Sequence, residues 1–132
     1  MRQQFALVPN FGLLDSRLFD YARLLESDPD AAISKAFRSL EETVRARCGL
    51  PGLFGKILFE RAFLKQGALL TWKGLEPNEI RGRGELFVAI FSAFRNPRAH
   101  RQINASRSQH LREFMLINEL FLLESEAVSA GD

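Results

Sequence analysis

Leu86-Phe87-Val88-Ala89-Ile90-Phe91-Ser92-Ala93-Phe94 is the most apolar run of the chain, and it breaks at once into Arg95-Asn96-Pro97-Arg98-Ala99-His100-Arg101. A run of this composition belongs in a core. Apolar nearly all round, it reads as a helix from about Glu85 to Arg95, buried between other helices. The residue before a proline avoids helical angles, so Asn96 is expected to leave that helix. It then caps a new turn with Pro97 at the first position.

The segments on either side are also helical. Ser27-Asp28-Pro29-Asp30 is a start signal, with Asp28 as cap and Pro29 at a position where its missing N–H costs nothing. Ile33, Phe37, Leu40 and Val44 repeat one face as far as Cys48, where Gly49 and Pro51 end the helix. Arg38, Glu41, Glu42 and Arg45 read as a solvated, charge-paired opposite face. An earlier helix, from about Asp15 to Glu26, carries Leu14, Leu18, Tyr21 and Leu25 at helical spacing. A third spans about Leu53 to Lys65, with Phe54, Ile57, Leu58, Ala62 and Phe63 inward. Leu69–Trp72 is a short extended or irregular piece, and Trp72 is a packing residue. Gly82 and Gly84 weaken the helical reading of 79–85, although Pro77 can open a helix there.

The last helix starts near Ser106, which forms a capping box with Gln109. Its core stripe reads Leu111, Met115, Asn118 and Leu122, widened by Phe114, Ile117 and Phe121. His110 is expected at the surface or an interface, and the tail from Ser125 to Asp132 is expected to fray. Residues 1–13 read as an arm and 14–132 as a single domain. With strand signals almost absent, the fold class is all-α, a helical bundle of about five helices.

At 132 residues the chain is long enough for one domain with a real core. Twelve Phe against one Tyr and one Trp point to an aromatic core or a subunit contact rather than a sugar or base platform. The net charge of +2 permits a nucleic-acid partner without demanding one. Cys48 is the single cysteine, which excludes an internal disulfide and reads as a small core residue in a cytoplasmic protein. No apolar run approaches the ~18 residues of a membrane span, and the N-terminus lacks the length of a signal peptide. Two histidines and one cysteine do not make a zinc site, and no metal or cofactor is expected.

The chemistry-bearing residues sit at the Pro97 break. A turn that begins there leaves the N–H groups of Arg98 and Ala99 free to attract an anion. Arg95 before it and His100 within it can face that same anion, and Arg98 and Arg101 are expected to steer RNA. His100 can act as a general acid or base, the usual role of an imidazole in catalysis. RNA supplies its own nucleophile, the 2′-hydroxyl, so no metal is required. One imidazole serves as base or acid; a dimer that joins two copies of His100 supplies both.

Arg95-Asn96-Pro97-Arg98-Ala99-His100 resembles the R-x4–6-H signature of the HEPN superfamily. Ala36-Phe37-Arg38-Ser39-Leu40-Glu41, Gly49-Leu50 and the apolar lead into the motif are similar to its Ymh-like branch, over roughly Asp28 to Leu123. The resemblance implies an all-α domain that forms a homodimer, with two copies of the motif lining one cleft. It implies a metal-independent endoribonuclease of a toxin–antitoxin, abortive-infection or phage-defence system, acting on single-stranded or loop RNA. Arg95, Asn96 and His100 would be its active-site residues, and an antitoxin its protein partner. Other branches have lost catalysis, so the alternative is a non-catalytic module that binds RNA, a nucleotide or a protein. Residues 1–13 have no counterpart in the resemblance.

Overall fold

Helix α2 (Pro29–Cys48) forms where its start and stop signals dictate. In the computed structural model, which describes residues 10–101 and 103–131, Asp28 Oδ1 accepts from the N–H of Ala31 and Pro29 occupies the first turn. Gly49 closes the helix at a φ of 65°, in the left-handed region that glycine enters without penalty. Its buried face runs Ile33, Phe37, Leu40 and Val44. Around it pack α1 (Phe19–Leu24), α3 (Gly55–Phe63) and α6 (Arg107–Glu126). The remaining rod begins as α4 (Pro77–Ile90), passes through a π-helical turn at Phe91–Arg95, and continues as α5 (Asn96–His100). Counted as one rod, it brings the bundle to five helices. A two-residue antiparallel ribbon joins β1 (Leu70–Thr71) to β2 (Val128–Ser129).

The phenylalanine excess becomes an aromatic spine. Phe63 stacks on Phe87 with ring centroids 4.4 Å apart, and Phe59 packs against both Phe87 and Phe91. Phe37 meets Phe91 edge-on at 6.0 Å. Such rings fill volume without a polar atom that must be satisfied, and each good pair adds about 0.5–1.5 kcal/mol beyond its buried area. Trp72 joins the stack and donates its indole N–H to the Leu123 carbonyl at 2.8 Å.

Gly84 is where α3 and α4 approach. A Cβ there would lie 2.8 Å from Leu64 Cδ2 and 3.0 Å from Phe63 Cβ. The glycine that weakens the helical reading of this segment is thus demanded by packing. Gly84→Val is expected to destabilise the fold by about 1–3 kcal/mol through overpacking, read as a lower denaturant midpoint at unchanged slope.

Several expectations are corrected. The fourth helix opens at Pro77, and its outer side leaves Leu86 and Ala89 exposed rather than buried between helices. Phe54 and Ile57 of the third helix point out, and Phe59 takes the core position instead. On α6 the buried stripe is His110, Phe114, Ile117, Phe121 and Glu124, so Leu111, Met115 and Leu122 are only half-buried. The tail does not fray through its described part: Ala127 is buried and Val128–Ser129 pair with β1. Arg47 helps to hold it by donating to the carbonyls of Glu124 and Ala127.

Most of the arm, residues 1–9, lies outside the described residues. Its last part forms a single 3-10 turn, Phe11–Leu13. Buried Asn118 pins that turn by donating to the Leu13 carbonyl and accepting from the Asp15 N–H. Arg17 then bridges Asp15 to Glu124 and holds the Asp15 carboxyl below its ordinary value. Cys48 is half-buried, and burial pushes its thiol upward, away from the reactive thiolate.

Candidate functional site

Proline does not break the motif helix. Asn96 keeps helical angles (φ −59°, ψ −46°), and its N–H bonds to the Phe91 carbonyl five residues back. In an α-helix the Pro97 ring would clash with the carbonyl of Ala93. The wider π turn at Phe91–Arg95 relieves that crowding, as single π turns inside helices do. The expected cap at Asn96 is therefore absent, and so is the free helix start that was to bind an anion at the N–H groups of Arg98 and Ala99.

Arg95 is held from below. Its Nε lies 3.7 Å from Glu41 Oε1, and its guanidinium sits 5.5 Å from the centre of the Phe91 ring. Its side chain keeps 35% exposure, and its two terminal nitrogens have no partner among the described residues. Glu41 is buried rather than part of a solvated face, and its other oxygen accepts from the Gly55 N–H at 3.0 Å. Gly55 has a φ of 58° and sits so close to Phe91 that a Cβ would fall 3.2 Å from the ring. One carboxylate thus joins the motif arginine to the start of α3. Glu41 was legible by spacing, since it follows Phe37 by four and precedes Val44 by three, inside the core stripe.

Asn96 and His100 are both exposed on α5. Four residues apart, they are neighbours on one helix face. Arg95 and His100 are five apart, which sets them about 140° from each other around an α-helical axis. Within one chain, then, Asn96 and His100 share a face, and the half-exposed Arg95 is turned away from His100. Arg101 is exposed at the end of the helix, in extended conformation.

Arg98 is the main departure from the sequence reading. Its side chain is 2% exposed, so it is not available to steer RNA. It donates to Asp30 at the start of α2 and to Glu113 of α6. A further donor meets His110 Nδ1 at 3.1 Å. Arginine can only donate, so Nδ1 of His110 is the acceptor in that contact. His110 is accordingly a buried partner, not a surface residue. The cluster fastens α5 to both long helices. Sequence spacing carried the signal: Phe87, Phe91, Phe94 and Arg98 fall at i, i+4, i+7 and i+11, but only if the helix is read through Pro97.

Beside the motif, Phe94, Leu111, Met115 and Leu116 line an apolar groove of about 650 Å³. Ala93 and Asn96, which flank Phe94 and Arg95 in the chain, are both exposed. Among the described residues no His, Cys, Asp and Glu side chains gather as a metal-ligand set. Likewise, no described helix is long and apolar enough to cross a membrane.

A family model described as "Protein of unknown function (Hypoth_ymh)" matches residues 14–122. No curated protein and no solved structure matches the chain. The match covers most of the sequence, including every helix but the last turn of α6 and the whole Arg95–His100 motif. The chain belongs to the Hypoth_ymh family of proteins of unknown function.

Proposed function

We propose that the protein is a metal-independent endoribonuclease of HEPN type whose site is shared between two copies of the chain. The observation that carries this reading is the surface built by one short helix. Asn96 and His100 stand exposed one turn apart, and Arg95 is anchored through Nε so that its terminal nitrogens stay unengaged among the described residues. An imidazole and a guanidinium are the groups that 2′-hydroxyl attack on a phosphodiester requires, and their separation around the helix of one chain is the reason to draw the site from two copies.

In the proposed reaction, His100 of one copy removes the 2′-OH proton and O2′ attacks phosphorus. The Arg95 guanidinium meets the charge that develops on the phosphorane oxygens. The bond from phosphorus to O5′ then breaks, and His100 of the second copy returns a proton to that oxygen. The products are a 2′,3′-cyclic phosphate and a 5′-hydroxyl. Asn96 orients the scissile group by hydrogen bonding. A homodimer is supported by exposed apolar surface: Leu86 is 37% exposed on α4, and Leu116, 36% exposed, lines the groove with Phe94 and Met115. Patches of this kind mark interaction surfaces. Such an enzyme suits a toxin or phage-defence role, held in check by an antitoxin protein.

The test is cleavage of a mixed RNA pool in chelator, with the product ends identified. Cyclic-phosphate termini are expected. RNA bound but recovered intact would favour the non-catalytic binding module, which the net charge of only +2 also accommodates.

A further inference from the structure

Two of the most exposed large apolar side chains among the described residues stand three residues apart at the start of α3: Phe54 at 62% and Ile57 at 64%, matched only by Leu13 at 62%. Core-facing spacing does not explain them, and neither touches the apolar groove beside α6. Phe54 precedes Gly55, whose N–H binds the Glu41 carboxylate that also holds Arg95. The same Phe91 ring lies against Gly55 and under the Arg95 guanidinium. The Phe54 ring therefore stands one residue from the anchor of the motif arginine.

Its surroundings are basic. The Arg45 guanidinium lies 4.6 Å from the centre of the Phe54 ring, and Arg45 Nη1 donates to the Leu53 carbonyl, which keeps it there. Lys56 is exposed two residues further along the chain, and Arg38 is exposed on α2, one turn before Glu41. Glu42 is the acidic neighbour on that helix. An aromatic face open to solvent, a guanidinium against it and cations alongside are what an unpaired base and its phosphates recognise. A duplex, with its bases stacked inside, cannot use such a face.

We infer that Phe54, backed by Arg45, is a stacking platform for an unpaired RNA base next to the phosphate held by Arg95. Glu41 lies between the two segments, accepting from the Gly55 N–H at 3.0 Å and facing Arg95 Nε at 3.7 Å. This inference rests on the nuclease reading above and names the side chain that would select its single-stranded RNA over duplex by stacking. It also revises the expectation that the phenylalanines serve only core and subunit contacts.

The experiment uses the full chain carrying His100→Ala, so that RNA stays intact during titration. A fluorescent single-stranded oligoribonucleotide and the same sequence as a duplex are the probes. Adding Phe54→Ala is expected to weaken single-strand binding by roughly 5–100-fold, the effect of losing one stacked base, and to leave duplex binding unchanged. Phe54→Trp should retain affinity, with its indole emission quenched by the oligonucleotide. Circular dichroism checks that the variants fold. Unchanged single-strand affinity in Phe54→Ala would overturn the platform while leaving the nuclease reading intact. A loss of self-association instead, seen by sedimentation without RNA, would also overturn it and make the patch a protein contact. A wild-type chain that neither binds nor cuts RNA would remove the nuclease reading itself.

Discussion

Replacing His100 by alanine is expected to lower RNA cleavage by about 10²–10⁴-fold, the range for removing a general acid–base group. The loss should appear in kcat far more than in KM, because the imidazole acts on protons in flight and contributes little to ground-state binding. Stability should hardly change. His100 is exposed, and no described side chain bonds to it, so its removal strands no buried partner. Single-turnover kinetics on a defined single-stranded substrate, paired with a denaturant melt, separates the two effects. A variant that cuts as fast as wild type would take His100 out of the chemistry.

The second large effect falls on stability. Arg98→Ala is expected to cost about 3–5 kcal/mol, the penalty for breaking a buried ion pair from one side. Glu113 would be left as a buried carboxylate without its cation, and His110 without its donor. Against the ordinary 5–15 kcal/mol of a small domain, that is enough to threaten folding at physiological temperature. The denaturant midpoint should fall with the slope unchanged. Arg98→Met combined with Glu113→Leu should recover much of the loss, since an apolar pair of similar volume avoids the desolvation that the charges suffer. A single Arg98→Ala variant as stable as wild type would mean that the cluster does not fasten α5.

The two histidines thus divide in role. His110 is buried against Arg98; His100 is exposed four residues after Asn96. The fastening matters to function because α5 is only five residues long. Such a helix has little stability of its own, so the arginine inside it supplies the rigidity with which Asn96 and His100 are presented.

How far the sequence could be read depended on which physical signal dominated locally. Helix α2 was legible to the residue, since Asp28, Pro29 and Gly49 act through backbone geometry that tertiary packing does not override. The bundle class followed from spacing alone. Registers of α3 and α6 were harder, because each helix has more apolar residues than its buried face can hold. The surplus Phe54, Ile57 and Leu116 shows only once the neighbours are in place. At Pro97 a local rule misled: the preference against helical angles before proline was outweighed by a π turn and by the packing of the rod on α2. That misreading also put Arg98 on the surface; Glu41 was missed separately, assigned to a solvated face of α2 although its spacing lies within the core stripe. Arg95, Asn96 and His100 were picked out by motif, but the anchoring of Arg95 through Glu41 and Gly55 requires contacts that span separate helices.

The central claim is that two copies of the Arg95–Asn96–His100 surface act on one phosphodiester. The measurement that reaches it most directly is cleavage by mixed dimers. Wild-type chain and His100→Ala chain are unfolded together in stepped proportions, refolded so that subunits exchange, and assayed in chelator at constant total protein. If both histidines serve one site, activity follows the square of the wild-type fraction, and an equal mixture retains about a quarter of it. Activity that falls in direct proportion to the wild-type fraction would mean that each chain works alone, and would contradict the shared site.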